Sequence, residues 1–376
     1  MRAILRAGRA ARRPRPRGRG WPGPVAGLAM LGSLAAASAG PAGVGTTDLV
    51  LFPFAQQVQH SSPPHPQGGH GKHRTEHTRL GLDAFLLAER RGWRVLAEAL
   101  ATDEGGHVER LQVGRELGQA LLWLGRFHSP AMHWNELFHH APFLRTSVTG
   151  PSLMAFDDHG GPLPTHLWGL LTEWTRPAGA GQWQLQAGAG LGPRLSGEGL
   201  DPAEALRPGG GRREALALSW NWFPDAFGTD MLGLHLAYAR IPGRLPAVSE
   251  LRQQSLGLFV DRNVGPSRWL ANVQLLRHRT AAPAGSGTYR HWGGFLQGEL
   301  LLGRWRPYAR IERNALDRAD PYWIAFPGTA VFQAVGGVRL EMGQHQALTL
   351  EAAGTRELGG HHWHDSWRLQ WSALLP

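Results

Sequence analysis

Apolar and polar residues alternate one by one along most of this chain. In SWRLQWSALL, residues 366–375, Trp367, Leu369, Trp371, Ala373 and Leu375 share one face, while Arg368, Gln370 and Ser372 share the other. RWLANVQLL sets Trp269, Ala271, Val273 and Leu275 against Asn272 and Gln274. ALALSWNW sets Leu216, Leu218, Trp220 and Trp222 against Ser219 and Asn221. QALTLEAA and VFQAVGGVRLE repeat the pattern. A period of two belongs to β-strands whose two faces meet different surroundings. It predicts about sixteen strands, near 48–57, 77–88, 92–102, 107–114, 118–127, 165–175, 181–190, 213–223, 229–240, 250–261, 267–279, 288–301, 305–314, 329–340, 345–355 and 365–375. These runs approach the ten or so residues with which a tilted strand crosses a bilayer.

The outer faces of a soluble sandwich are usually rich in Lys, Glu and Thr, but here Lys72 is the only lysine. Trp93, Trp183, Trp269, Tyr308 and Trp371 fall near strand ends, where an aromatic girdle meets a membrane interface. The connectors point the same way. Short ones (ERRG, RELG, RPAGAG, PDAFGTD, RNVGPS, LGRW, MGQH) alternate with longer ones at about 58–76, 128–164, 191–212, 241–249, 280–287, 315–328 and 356–364. Only the connector at 103–106 breaks the alternation. A barrel with both chain ends in the periplasm has this rhythm of long outer loops and short inner turns. The expected fold class is therefore all-β, a transmembrane antiparallel β-barrel over residues 40–376.

The formal net charge of +10 arises mainly at the N-terminus. Residues 1–39 hold eight arginines and no acid, which leaves 31 basic residues against 29 acidic ones in the remainder. A nucleic-acid partner is thereby disfavoured. The arginines precede the apolar run VAGLAMLGSLAAA and an Ala37-Ser38-Ala39 cleavage pattern, so 1–39 read as a cleaved signal peptide. The apolar run is too short to span a bilayer comfortably. The absence of cysteine excludes disulfides and thiolate metal sites.

The third outer connector, about 37 residues from His128 to Pro164, opens with HSPAMHWNELFHH. A loop this long is functional or disordered. Trp134, Leu137, Phe138, Phe143, Leu144, Leu153, Met154 and Phe156 give it side chains that can pack. Strand count, connector rhythm and the place of the long loop resemble the sixteen-stranded porins, in which the third loop folds into the lumen and narrows it. The run GRFHSP…WN…HH…LRTSV followed by FDDHGGPLPTH, over about 125–166, resembles a signature of porin-like outer-membrane proteins of undefined function. The resemblance implies a Gram-negative outer membrane, insertion by the barrel assembly machinery, passage of small solutes, no required cofactor and, by analogy, a homo-oligomer. Porin strands commonly end on an aromatic residue, whereas this chain ends Leu374-Leu375-Pro376 with Trp371 as its last aromatic.

On this reading His128, His133, Trp134, Asn135, Glu136, His139, His140, Asp157, Asp158, His159 and His166 are candidates for a pore constriction. Imidazole with carboxylate suits zinc or another transition metal, but no spacing here matches a motif fixed by geometry; hydrogen bonding of the loop to the wall, with Asn135 and Asp157 as partners, is the simpler account, and solute contact without metal is a third. Closing the barrel brings His60, His65, His70, His73 and His77 of the first outer loop beside His361, His362 and His364 of the last. That mouth is a second metal candidate, or a surface that turns cationic below about pH 6.5. Arg94, Arg277, Arg306, Arg310, Arg339 and Arg368, with Glu98, Glu299, Glu312, Glu341 and Glu351, are candidates for lumen charge or for cross-strand ion pairs.

The function expected is a porin-like channel for passive diffusion of small solutes, with transition-metal ions and small anions both open as cargo, past a His-rich third-loop constriction. Two alternatives stand beside it. A plugged barrel would serve structure or adhesion. A hydrolase would recruit Ser129 beside His128, or Asp157 and Asp158 near His159, although no G-x-S-x-G elbow is present.

Overall fold

The structure, a computed structural model, describes residues 45–60, 76–138, 142–157, 160–282 and 285–375. The signal-peptide reading of 1–39 and the candidates His65, His70, His73, His139, His140, Asp158 and His159 lie outside them.

The strands are β1 (Thr46–His60), β2 (Glu76–Arg90), β3 (Trp93–Thr102), β4 (Gly105–Leu117), β5 (Ala120–His128), β6 (His166–Ala178), β7 (Gly181–Leu191), β8 (Arg194–Ser196), β9 (Gly199–Asp201), β10 (Glu214–Phe223), β11 (Met231–Leu245), β12 (Val248–Val264), β13 (Ser267–Ala282), β14 (Gly285–Leu300), β15 (Trp305–Ala315), β16 (Ala330–Glu341), β17 (Gln346–Glu357) and β18 (His364–Ala373). Short β8 and β9 form a hairpin inside the fourth outer loop. The other sixteen close into a barrel of antiparallel pairs, with β7 joined to β10, and β1 joined to both β2 and β18. Every strand read from the alternation is present, within a few residues at each end.

The burial pattern is inverted relative to a soluble protein. On β10, Leu216 and Trp220 are half exposed, at 50% and 47%, while Ser219 and Asn221 on either side of Trp220 are fully buried. Apolar residues Leu234, Leu258, Val273, Leu296, Ile311 and Leu369 face outward in the same way. Inward faces carry Asp83, Gln112, Gln186, Asn272, Gln297 and Glu351. Hydrocarbon outside and a polar interior satisfy both faces, and closure leaves no strand edge unpaired. Near the inner turns, Trp183 stacks on Trp220 with ring centroids 4.6 Å apart, and Arg115 sits over Trp93. The β2–β3 turn is tight because Arg91 and Gly92 both take positive φ, 51° and 75°, the primed geometry that matches strand twist.

Three expectations are corrected. Tyr308 belongs to the lumen and not to the girdle: it is buried and its hydroxyl donates to Glu351 at 2.8 Å. Arg277 faces outward on the outer half of β13, whereas its neighbour His278 is buried. The connectors read at 241–249 and 280–287 are mostly strand. Leu245 pairs with Val248, and Ala282 with Gly285. The Pro and Gly residues of IPGRLPA suggested a loop, but a register shift between Pro242 and Leu245 absorbs them. These hairpins extend past the lipid band, with Arg252, Arg279 and Arg290 exposed on their outer faces.

Leu258→Arg, mid-strand on the outward face, is expected to cost about 2–4 kcal/mol in reversible unfolding from lipid vesicles, whereas Arg at the rim position Gln254 costs under about 1 kcal/mol. Equal costs at the two positions would contradict this placement of the lipid band.

Candidate functional site

The third outer loop, L3 (129–165), turns inward and fills much of the lumen. Its neck is closed by Ser129 N donating to Thr165 O at 2.7 Å. Ser129, the nucleophile of the hydrolase reading, is thus buried in that neck. Past it, helix α1 (His133–Phe138) stands inside the barrel with His133, Trp134, Asn135 and Phe138 buried. The His133 ring lies 4.6 Å from that of Phe259 and 6.0 Å from that of His235, and Trp134 packs edge-on against Phe295. Glu136 accepts from Gln186 Nε2 at 2.6 Å. Burial, then the charges of His235 and Arg268, holds His133 well below its ordinary value, so it is neutral at pH 7. Burial pushes Glu136 up.

The middle of L3 crosses the lumen and lies along the wall of β14–β18. Thr146 donates to Glu299 of β14 at 2.8 Å. Arg310 of β15 donates to the carbonyls of Thr149 and Gly150, at 2.7 and 3.0 Å, and to Ser147 Oγ. Glu312 of β15 accepts from Ser152 N at 2.9 Å. Arg339 of β16 donates to Arg145 O at 2.7 Å. Glu351 of β17 accepts from Val148 N and Thr149 N at 2.8 and 2.9 Å, and Arg368 of β18 reaches Thr149 Oγ1 at 2.5 Å. The lumen-charge candidates Arg310, Glu312, Arg339 and Arg368 are therefore ligands of the L3 backbone and side chains. Arg306 and Arg339 also pair with Glu341, at 3.2 and 3.0 Å. Gly293 on β14 lets the loop approach, since a Cβ there would lie 2.2 Å from Leu153 Cδ1.

The returning limb docks on β4–β6. His166 Nδ1 lies 2.6 Å from Asp157 Oδ1, and its Nε2 lies 2.9 Å from Glu109 Oε2. The His128 ring stands edge-on to that of His166 at 5.0 Å. The seventh outer loop (316–329) covers the limb, with Tyr322 donating to Pro162 O at 2.5 Å. Beside it Asp320 accepts from His278 Nδ1 at 2.6 Å, from His291 Nε2 at 2.9 Å and from Tyr322 N at 3.0 Å. The remaining ring nitrogens are engaged as well: Gln253 Nε2 donates to His278 Nε2 at 3.0 Å, and Asp317 N to His291 Nδ1 at 3.0 Å. Each ring thus has one donating and one accepting nitrogen, as a neutral imidazole requires. Burial alone would raise Asp320, but the two histidines outweigh it and hold the carboxyl at about 2.

A cavity of about 290 Å³ remains between L3 and the wall of β1–β3. Phe54, Gln56, Arg79 and Leu100 border it from the barrel, and Trp134, Phe138 and Arg145 from the loop. Of the constriction candidates among the described residues, Trp134 borders this space, while the described histidines of L3 and its ends are packed away from it. Arg79 and Arg145 are its charged lining residues and were not singled out from sequence. Glu109, His278, His291 and Asp320 were missed as well. Of the mouth histidines, His60 stacks on His77 at 6.2 Å, and His364 lies on β18, which pairs with β1. His361 and His362 are exposed. Among the described residues, the two tight groups of potential metal donors are Glu109–His128–His166 and His278–His291–Asp320.

No protein-family model and no curated protein matches the chain. Solved structures do. The outer membrane channel DcaP of Acinetobacter baumannii is similar at 10% identity and TM-score 0.57, over 89% of this chain and 100% of that one. An anion-selective porin from Comamonas acidovorans is similar at 12% identity and TM-score 0.55, over 88% and 100%. The trimer form of OmpT of Vibrio cholerae is similar at 10% identity and TM-score 0.53, over 88% and 100%. At these identities the likeness is one of fold, and the fold is the porin-like outer-membrane β-barrel.

Arg310→Met leaves two loop carbonyls without their donor, so it is expected to cost about 3 kcal/mol and to expose L3 to added protease. Unchanged proteolysis would show that the loop is held elsewhere. For His133, whose folded value lies below the unfolded one, the unfolded chain alone takes up the proton as pH drops below about 6.5. L3 protection is therefore full above that pH and declines on acidification. His133→Gln is expected to flatten that acid limb in a protease-protection profile.

Proposed function

We propose that the protein is an outer-membrane channel through which small solutes diffuse passively, with a preference for small anions. The cavity between L3 and β1–β3 carries this reading. Its charged lining residues are Arg79 and Arg145, with no carboxylate among them. Burial lowers Arg145 to about 10, which leaves it cationic at neutral pH. Basic residues at a narrow passage favour anions. Much of the remaining lumen charge is already paired, as in Arg268–Asp261 at 2.6 Å and Arg306–Glu341, so it contributes little to selectivity. A closed homo-oligomer within outer-membrane lipid belongs to the same proposal, supported by the shared fold with an outer membrane protein that has a trimer form.

A second reading, a plugged structural barrel, draws on the apolar core inside the lumen. Phe127, Leu195, Leu251, Phe259 and Tyr322 are fully buried there, where the third, fourth and seventh outer loops pack together. Planar-bilayer recordings across a potassium chloride gradient separate the two. Steady, anion-selective conductance is expected. Trp134→Ala should raise the conductance, and Arg145→Ser should move the reversal potential toward cation selectivity. No conductance from folded protein would overturn the channel and leave the plugged barrel.

A further inference from the structure

The group Glu109–His128–His166 is built differently from the trio around Asp320, and the difference starts in the backbone. On β4 the register against β3 shifts: Glu98 pairs with Arg110 and Ala99 with Val108, which makes Glu109 the extra residue of a β-bulge. Bulges re-aim side chains, and they recur beside functional sites. Here the bulge turns Glu109 inward to complete burial, next to Arg110, which also reaches inward to Glu98. His128 and His166 are directly paired at the ends of β5 and β6. One ligand atom from each of the three residues lies within 4.8 Å of the others. Ligands of one zinc ion stand about 3.3 Å apart, given bonds of about 2.0 Å, so modest ring rotations would close the set.

The surroundings fix the chemistry of His166. Asp157 accepts from Thr165 N at 3.0 Å, from Thr165 Oγ1 at 2.5 Å and from His166 N at 3.2 Å, so it acts as an ionised acceptor. Facing Nδ1, it selects the tautomer with the proton on that nitrogen. Nε2 then presents its lone pair toward Glu109. With Glu109 Oε2 2.9 Å away, that side of the ring calls for positive charge between the two, which a proton or a metal ion supplies. The carboxylate–histidine–metal arrangement orients ligands in this way. Two imidazoles and one carboxylate make a three-ligand set with an open fourth position, suited to zinc-class ions. His107 Nε2, 2.7 Å from Glu109 Oε1 and 37% exposed, marks a path from the outer rim.

We propose that Glu109, His128 and His166 bind a divalent transition-metal ion of the zinc class, with Asp157 as the positioning residue. The ion would join β4, β5 and β6 and, through Asp157, the returning limb of L3. The proposal holds whether or not the lumen conducts.

The test uses the full chain without an affinity tag, folded in detergent and titrated with zinc alone by calorimetry. One tight equivalent is expected. Glu109→Gln and His128→Gln should weaken it at least tenfold, and Asp157→Asn by about 10–100-fold. A variant with His361, His362 and His364 changed to Asn should match wild type. Heat-modifiable gel mobility checks folding in each case. Unchanged affinity in Glu109→Gln, or loss confined to the variant lacking the three mouth histidines, overturns the proposal. Should the buried-site variants fail to fold, cobalt(II) added to wild type decides. Intense visible bands of a four-coordinate site, displaced by zinc, support it, and the weak spectrum of hydrated cobalt overturns it.

Discussion

The hydrogen bonds between Arg310 and the L3 backbone are the constraint on which the interior depends. A barrel of sixteen strands encloses more volume than its own side chains fill. What remains is decided by the loops that enter and by what holds them. Arg310 is fully buried and donates into two consecutive carbonyls of L3. Glu351 and Glu312 accept from the backbone amides on either side. Main-chain groups in a non-helical loop need partners wherever water is scarce. The wall supplies them with charged groups, which form stronger hydrogen bonds than neutral ones. L3 is thereby held to one side of the lumen, and the residual space lies along β1–β3.

This arrangement also resolves a conflict in the sequence. Buried charge is costly unless it is paired and hydrogen-bonded. A chain that buries Arg306, Arg310, Arg339, Glu299, Glu312, Glu341 and Glu351 would be unstable as a soluble sandwich. In a barrel the same alternation places them inward, where L3 and cross-strand neighbours satisfy them. Outward, Leu234, Leu258, Leu296 and Ile311 meet hydrocarbon. One periodicity therefore specifies both the membrane face and the polar wall to which the loop attaches.

The strands were legible because lipid and lumen impose a two-residue period over long stretches, and the end of β18 states it without ambiguity in Trp367, Leu369 and Trp371. The long loop was legible by its length. What escaped was whatever depends on where a strand stops or how a loop folds back. Pro242 and Gly243 carry the composition of a loop, yet they sit at an irregularity that strand pairing tolerates, and Pro246 falls in the two-residue turn that follows. Tyr308 matched the girdle by position and the lumen by phase, and phase decided. Glu109 was invisible because the bulge that turns it inward breaks the alternation used to find inward residues. His278 and His291 could have been found, since each occupies an inward position of its strand, but their partner Asp320 lies in a loop whose path no periodicity records.

The two histidine groups show why composition alone could not assign a role to the imidazoles. Around Asp320, Gln253 and the Asp317 amide supply the donors that complete two neutral rings, and the result is a strap from the seventh outer loop to the wall. Around His166, carboxylates approach both ring nitrogens. A neutral imidazole carries one proton, so it can donate to only one of them. The second approach asks for positive charge, whether from a proton or from an ion. Burial against Phe156 keeps water away from the ring, so that charge has to come from within the group itself. A metal shared by Glu109, His128 and His166 would spread that charge over three donors. Identical residue types thus separate into a strap and an ion site according to which neighbours donate and which accept.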